Sequence, residues 1–140
     1  REACERLRSA GYLLFVVTNQ PDVARGDQCR EHVEGINAWL QSTLSVQQVL
    51  TCYHDNADHC ACRKPKPGML FEAARAWDVT LSASVMVGDR WSDVEAGRAA
   101  GCKSILIERA YSGREHCQPD WVVDDLPAAA YIILRRGDIA

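Results

Sequence analysis

Two patterns of apolar residues alternate along this chain: short continuous apolar runs, and longer stretches in which apolar positions recur at helical spacing. Residues 2–10 (EACERLRSA) read as a helix that stops at Gly11, a C-terminal glycine signal. Residues 12–17 (YLLFVV) are uninterrupted apolar, the pattern of a strand buried on both faces. From about Asp27 to Leu44, the residues Val33, Ile36, Leu40 and Leu44 mark a helix. Ser45–Tyr53 alternates enough for a second strand. Pro67-Gly68 opens a helix through Trp77, favoured by Ala73, Ala74 and Ala76. Ser84–Val87 is a short strand ending at Gly88-Asp89, and Ser92–Ala100 a helix ended by Gly101. Residues 104–108 and 121–123 are further strands, and Leu126–Arg136 is a closing helix.

Strand and helix in repeated alternation predict an α/β fold: a parallel sheet with helices on both faces. The chain has 140 residues, which suits one domain spanning residues 1–140, with no internal repeat or linker. In an open parallel sheet, ligands bind outside the carboxyl ends of the strands. Weight therefore falls on Thr18-Asn19-Gln20, on the Cys/His stretch with Arg63 and Lys64, and on Gly88-Asp89.

Composition narrows the function. Hydrophobic residues make up 47% and charged residues 25%, ordinary values for a folded soluble chain. A formal net charge of −3 offers no bulk basic field for nucleic acid or anionic membrane, and YLLFVV is far too short to span a bilayer. The chain opens at Arg1 without an initiator Met and already reads as the middle of a helix, so further chain upstream is expected. Seven cysteines are many for this length, and an odd number leaves at least one unpaired. Cys4, Cys29, Cys102 and Cys117 are scattered and read as core or incidental surface thiols. The others cluster, which points to a reducing compartment, the cytoplasm, and one metal site.

Cys52-Tyr53-His54 and Cys60-Ala61-Cys62 place two ligands on each side of residues 55–59. Cys3His is a closed tetrahedral zinc set whose role is structural, because no position is left for water. His59 is an adjacent competitor, but the C-x-H and C-x-C pairing is neater with His54. Ordinary buried cysteines near a surface histidine are the bland alternative. The segment RKPKPG (63–68) follows directly; its prolines hold the backbone extended and place Lys64 at a defined point. A cation there supplies the charge that a transferring phosphoryl group needs, although a basic turn alone is more often solvated surface. Thr18 offers a hydroxyl and the backbone N–H groups beyond it, although it and Asn19 also suit a turn cap before Pro21. Asp89, at the end of an apolar strand, suits magnesium, whereas helix capping alone can explain Asp93.

In order, VVTNQPDVARG (16–26), CYH (52–54) with CACRKPKPGM (60–69), and MVGD (86–89) resemble the haloacid dehalogenase superfamily of phosphatases. More narrowly, they are similar to its zinc-containing branch, typified by D-glycero-D-manno-heptose 1,7-bisphosphate 7-phosphatase and the histidinol-phosphatase domain. The resemblance covers nearly the whole chain. It implies a three-layer Rossmann-like fold and a magnesium-dependent phosphatase of carbohydrate metabolism. The substrate would be a small phosphate ester, most directly the heptose bisphosphate, with histidinol phosphate as the alternative. It implies that Thr18 holds the transferring phosphoryl group, with Asn19, Gln20 and Pro21 lining the site. Lys64 would neutralise that group, Arg63 would recognise substrate, and Asp89 would bind Mg2+. Cys52, His54, Cys60 and Cys62 would bind Zn2+. No nucleic-acid or membrane partner is expected, and the full-length protein is expected to be a monomer.

One departure matters more than these matches. The family opens on a central strand ending in Asp-x-Asp, nucleophile then general acid/base, and nothing like it precedes Thr18. Asp55, Asp58 and Asp78 lack an apolar strand before them, and Asp124 and Asp125 follow Trp121-Val122-Val123 at the wrong end of the chain. An N-terminally truncated hydrolase domain is therefore expected, inactive alone. A zinc-stabilised domain that has lost its nucleophile and a thiol redox protein using Cys60 and Cys62 are the rivals from other classes. A polynucleotide 3′-phosphatase is more distant, disfavoured by the charge.

Overall fold

A computed structural model describes residues 1–139. The chain divides into two compact units, Arg1–Arg63 and Lys64–Ala140. In the first, helix α1 (Glu2–Ser9) leads to strand β1 (Phe15–Asn19), the short helix α2 (Pro21–Ala24), helix α3 (Arg30–Leu44) and strand β2 (Gln48–Cys52). The second contains α4 (Gly68–Trp77), β3 (Val85–Gly88), α5 (Trp91–Ala99), β4 (Lys103–Ile107), β5 (Trp121–Val123) and α6 (Leu126–Ile139). Single 3-10 turns lie at Asn56–Asp58, Leu81–Ala83 and Arg114–His116.

All strand pairings are parallel, as the alternation of elements predicts. They form two sheets, β1-β2 and β3-β4-β5. In the first unit α3 packs on β2, and the buried apolar residues are Ala3, Leu7, Val33, Val46, Leu50 and Cys52. In the second, α5 packs on β3 and β4, and α6 on β4 and β5. Ile105 and Leu106 of β4 are fully buried, together with Ala96 of α5 and Ala129 and Ala130 of α6. Small residues on the two helices let them approach the large aliphatic side chains of the middle strand closely, as interior packing density requires.

Several boundaries differ from the expectations of the sequence. The first strand runs over Phe15–Asn19, not 12–17, and each of its residues is only half-buried. Tyr12 instead closes the end of α1 from outside the helix, its N–H donating to the Leu7 carbonyl at 3.1 Å. The polar end of the strand is held by pairing, with Thr18 opposite Thr51 and Asn19 opposite Cys52. A terminal strand of a two-stranded sheet has one ladder neighbour, which accounts for the incomplete burial. Helix α3 starts at Arg30, later than Asp27, because the N–H groups of Asp27 and Gln28 close a turn onto the Asp22 carbonyl. The RKPKPG segment turns at Lys64 and Pro65, across a cis peptide, and does not run extended.

Candidate metal centre and phosphate-site residues

Strand β2 ends at Cys52, and the chain then loops back so that four side chains meet. The ligand atoms of Cys52, His54, Cys60 and Cys62 all lie within 4.8 Å of one another. Cys52 Sγ is 3.6 Å from both His54 Nδ1 and Cys60 Sγ, and His54 Nδ1 is 3.3 Å from Cys62 Sγ. Zinc–sulfur bonds of about 2.3 Å in a tetrahedron put sulfurs about 3.8 Å apart, so the set matches a closed zinc site. His59 stands outside it, on a residue with φ 49° that ends the 3-10 turn.

The thiols differ in their readiness to ionise. Burial pushes Cys60 up, but the N–H groups of Arg63 and Cys62 and the Cys52 thiol outweigh it and bring Cys60 down to about 6. Burial, then hydrogen bonding to Cys52 and Cys60, pushes Cys62 up to about 12; burial also raises Cys52. One thiolate forms easily, and its charge discourages the next. A divalent cation removes that conflict, because coordination favours all three thiolates at once. All seven cysteines are free thiols.

The loop has its own braces. Arg25 donates to both carboxylate oxygens of Asp55, Nε to Oδ2 at 2.8 Å and Nη2 to Oδ1 at 2.7 Å. Asp55 and Asp58 form a reciprocal cap of the 3-10 turn: the Asp55 N–H donates to Asp58 Oδ2 at 2.8 Å, and Asp55 Oδ1 accepts from the Asn56 N–H at 2.7 Å. Arg63 donates to Asn56 Oδ1 at 2.7 Å, so its guanidinium also lies against the metal loop. The sequence had no local signal for the Arg25–Asp55 pair, whose members stand 30 residues apart. Hydrogen bonds from Arg25, then from the Asn56 N–H, hold the Asp55 carboxyl at about 2. A depressed carboxyl contributes above its ordinary range, and the contribution fades as pH falls through the folded value. Asp55 is therefore expected to stay ionised at pH 3, whereas Arg25→Gln moves its midpoint up toward 3.8, read by carboxyl-carbon NMR.

Thr18 sits at the carboxyl end of β1, with Asn19 paired alongside Cys52 of the Cys/His cluster. The Gln20 side chain donates to Thr18 Oγ1 at 3.2 Å, and the Gln20 N–H to the Cys52 carbonyl at 2.7 Å. With Oγ1 accepting from Gln20, the Thr18 O–H is the donor that an anion can use. Gln20 is the N-cap of α2 and Pro21 its first residue, so Thr18 does not cap that helix.

In the second unit Lys64 Nζ lies 2.6 Å from Asp93 Oδ1, the two side chains 11% and 8% exposed. The other oxygen of Asp93 accepts from the Arg90 N–H at 3.1 Å, so one carboxylate both caps α5 and holds the lysine. A Cβ on Gly88 would overlap the Asp93 side chain; the glycine is needed here for close approach. Asp89 follows β3 and is half-buried. Its Oδ2 accepts from the Tyr111 hydroxyl at 2.5 Å and its carbonyl from Ser112 Oγ at 2.6 Å. The carboxylate keeps the Tyr111 phenol protonated, raising its pKa from the usual 10. Tyr111 and Ser112 carried no sequence signal, because they lie in an irregular loop 22 and 23 residues from Asp89.

Known proteins resemble this chain over most of its length. The HAD-hydrolase-like family profile matches residues 61–129. The D-glycero-beta-D-manno-heptose-1,7-bisphosphate 7-phosphatase of Pseudomonas aeruginosa is 36% identical over 96% of this chain and 80% of its own length. That of Yersinia pestis is 31% identical over 91% of this chain and 78% of its own length. The crystal structure of D,D-heptose 1,7-bisphosphate phosphatase from B. bronchiseptica, complexed with magnesium and phosphate, superposes with a TM-score of 0.84. It is 33% identical and covers 96% of this chain and 81% of that one. No helix among the described residues is long and apolar enough to cross a membrane. On these grounds the chain belongs to the haloacid dehalogenase-like hydrolases, in the branch that contains the heptose-bisphosphate phosphatases.

Proposed function

We propose that this chain is the greater part of a cytoplasmic phosphatase that removes a phosphoryl group from a small sugar phosphate, with D-glycero-D-manno-heptose 1,7-bisphosphate as the preferred substrate. The observation that carries the reading is the Cys3His set at tetrahedral spacing, placed directly before Lys64. The donor sets fit both ions: thiolate and imidazole suit zinc, and the Asp89 carboxylate suits magnesium. Bound there, magnesium neutralises phosphate charge and zinc fixes the loop.

The chain's own residues divide the work. Thr18 donates its hydroxyl to a phosphoryl oxygen, and the backbone through Asn19, Gln20 and Pro21 lines that position. Lys64, held by Asp93, would supply the positive charge that a transferring phosphoryl group needs. Arg63 recognises the remainder of the substrate. Asp89 holds the magnesium. The nucleophile of this family is an aspartate that forms an aspartyl-phosphate, later hydrolysed by water. No Asp-x-Asp follows an apolar strand within residues 1–140 at the required place. We read 1–140 as one hydrolase domain that includes the 52–62 zinc loop.

Expressed with its upstream reading frame, the protein is expected to release phosphate from the heptose bisphosphate with Mg2+. Its kcat/KM there should exceed that for histidinol phosphate by roughly 10²-fold or more, while residues 1–140 alone release none. A preference for histidinol phosphate would move the assignment to the neighbouring branch. No apolar strand with Asp-x-Asp upstream of Arg1, together with stoichiometric zinc, would instead establish a zinc-stabilised domain without catalysis.

A further inference from the structure

We propose that Tyr111 and Ser112 are positioning residues that fix the Asp89 carboxylate for its cation, an inference that rests on the reading of Asp89 as a magnesium ligand. The loop after β4 reaches the turn after β3 through a connected set of hydrogen bonds. Ser112 Oγ donates to the Asp89 carbonyl at 2.6 Å and accepts from the Arg109 N–H at 2.8 Å. The Ser112 carbonyl accepts from the Trp91 N–H at 2.8 Å. Ser112 is 1% exposed, so its hydroxyl is committed in both directions with no water to replace it. Gly113, at φ +70°, lies so close to Trp91 that a Cβ would collide with the indole ring. These contacts hold the backbone of Asp89 in place.

Tyr111 does something further. Tyr111 is 53% exposed, so it adds little to the core. One face lies 4.9 Å from the Arg90 guanidinium, which steers the ring toward the turn. The hydroxyl then donates to Asp89 Oδ2 at 2.5 Å. A carboxylate fixed at one oxygen and at its own carbonyl has lost the rotational freedom that a cation would otherwise have to remove. Oδ1 is the oxygen that would take the cation. Groups of this kind, one bond removed from a metal, set ligand orientation and affinity.

Tyr111→Phe separates this role from loop packing, because it keeps the ring over Arg90 and removes only the hydroxyl. In the full-length protein, Mn2+ binding read by electron paramagnetic resonance without substrate is expected to weaken roughly 10-fold. The Mg2+ concentration for half-maximal phosphate release should rise by a similar factor, with kcat and substrate KM at saturating Mg2+ changed little. Ser112→Ala should weaken Mn2+ binding in the same sense, and Tyr131→Phe on α6 should leave it unchanged. Wild-type Mn2+ affinity in Tyr111→Phe, with Asp89→Asn abolishing it, overturns the inference and leaves the phosphatase reading standing. Unaltered Mn2+ binding and Mg2+ activation in Asp89→Asn overturns the reading of Asp89 itself.

Discussion

Serine in place of Cys52 is expected to abolish stoichiometric zinc uptake and to loosen the chain from β2 to Arg63. Cys52 is the buried member of the ligand set, and it is also the last residue of β2, opposite Asn19. Losing its thiolate removes a quarter of the coordination and leaves a polar group where sulfur met metal. Metal analysis should find one zinc per wild-type chain, and the variant's affinity should fall on the order of 10³-fold. The pH dependence is equally specific. Zinc takes three thiolates, while at pH 7 only Cys60, at about 6, is already mostly ionised. Cys62, pushed up to about 12, and Cys52, raised above 9.0, must each release a proton on binding. Binding that releases protons strengthens as pH rises. Between pH 7 and pH 8, affinity should climb roughly 100-fold, with about two protons released by calorimetry in paired buffers. Release of fewer than one proton at pH 7 would mean the cluster is ionised before the metal arrives, which contradicts the arrangement of the thiols.

The parts of the molecule legible in the sequence were those whose cause is local. Cys52, His54, Cys60 and Cys62 fall within residues 52–62, so loop closure brings them together with little help from the rest of the chain. Gly101 ends α5 at φ +87°, and a glycine in that position announces itself. Parallel pairing of β1 with β2 and of β3 with β4 followed from apolar or alternating runs separated by helices. What was not legible depends on pairing at a distance. Thr18 and Asn19 are polar, yet they belong to β1 because Thr51 and Cys52 accept them in register. The helix of Pro21–Ala24 is four residues long, too short for any periodicity to show. Asp93 read as a helix cap, which it is, but its ion pair with Lys64 spans 29 residues. The sequence marks Lys64 and Asp93 separately and cannot mark the bond between them.

That bond has consequences of its own. Lys64→Met is expected to cost both stability and turnover, for two different reasons. The pair is nearly buried, at 11% and 8% exposure, so removing the ammonium strands the Asp93 carboxylate in a poorly solvated position. Breaking a buried pair in this way costs about 3–5 kcal/mol. Removing the cation proposed to offset phosphoryl charge is expected to lower kcat on the order of 10²–10³-fold. The double variant Lys64→Met with Asp93→Asn distinguishes the two effects. An asparagine carbonyl still accepts from the Arg90 N–H and carries no charge to strand, so much of the lost stability should return in urea unfolding. Turnover should not return, because the chemistry needs the positive charge and not merely a folded loop. Recovery of both in the double variant would assign Lys64 a purely structural role. Recovery of neither would place the damage in the Arg90–Asp93 cap, and Asp93→Asn alone would then show the same loss.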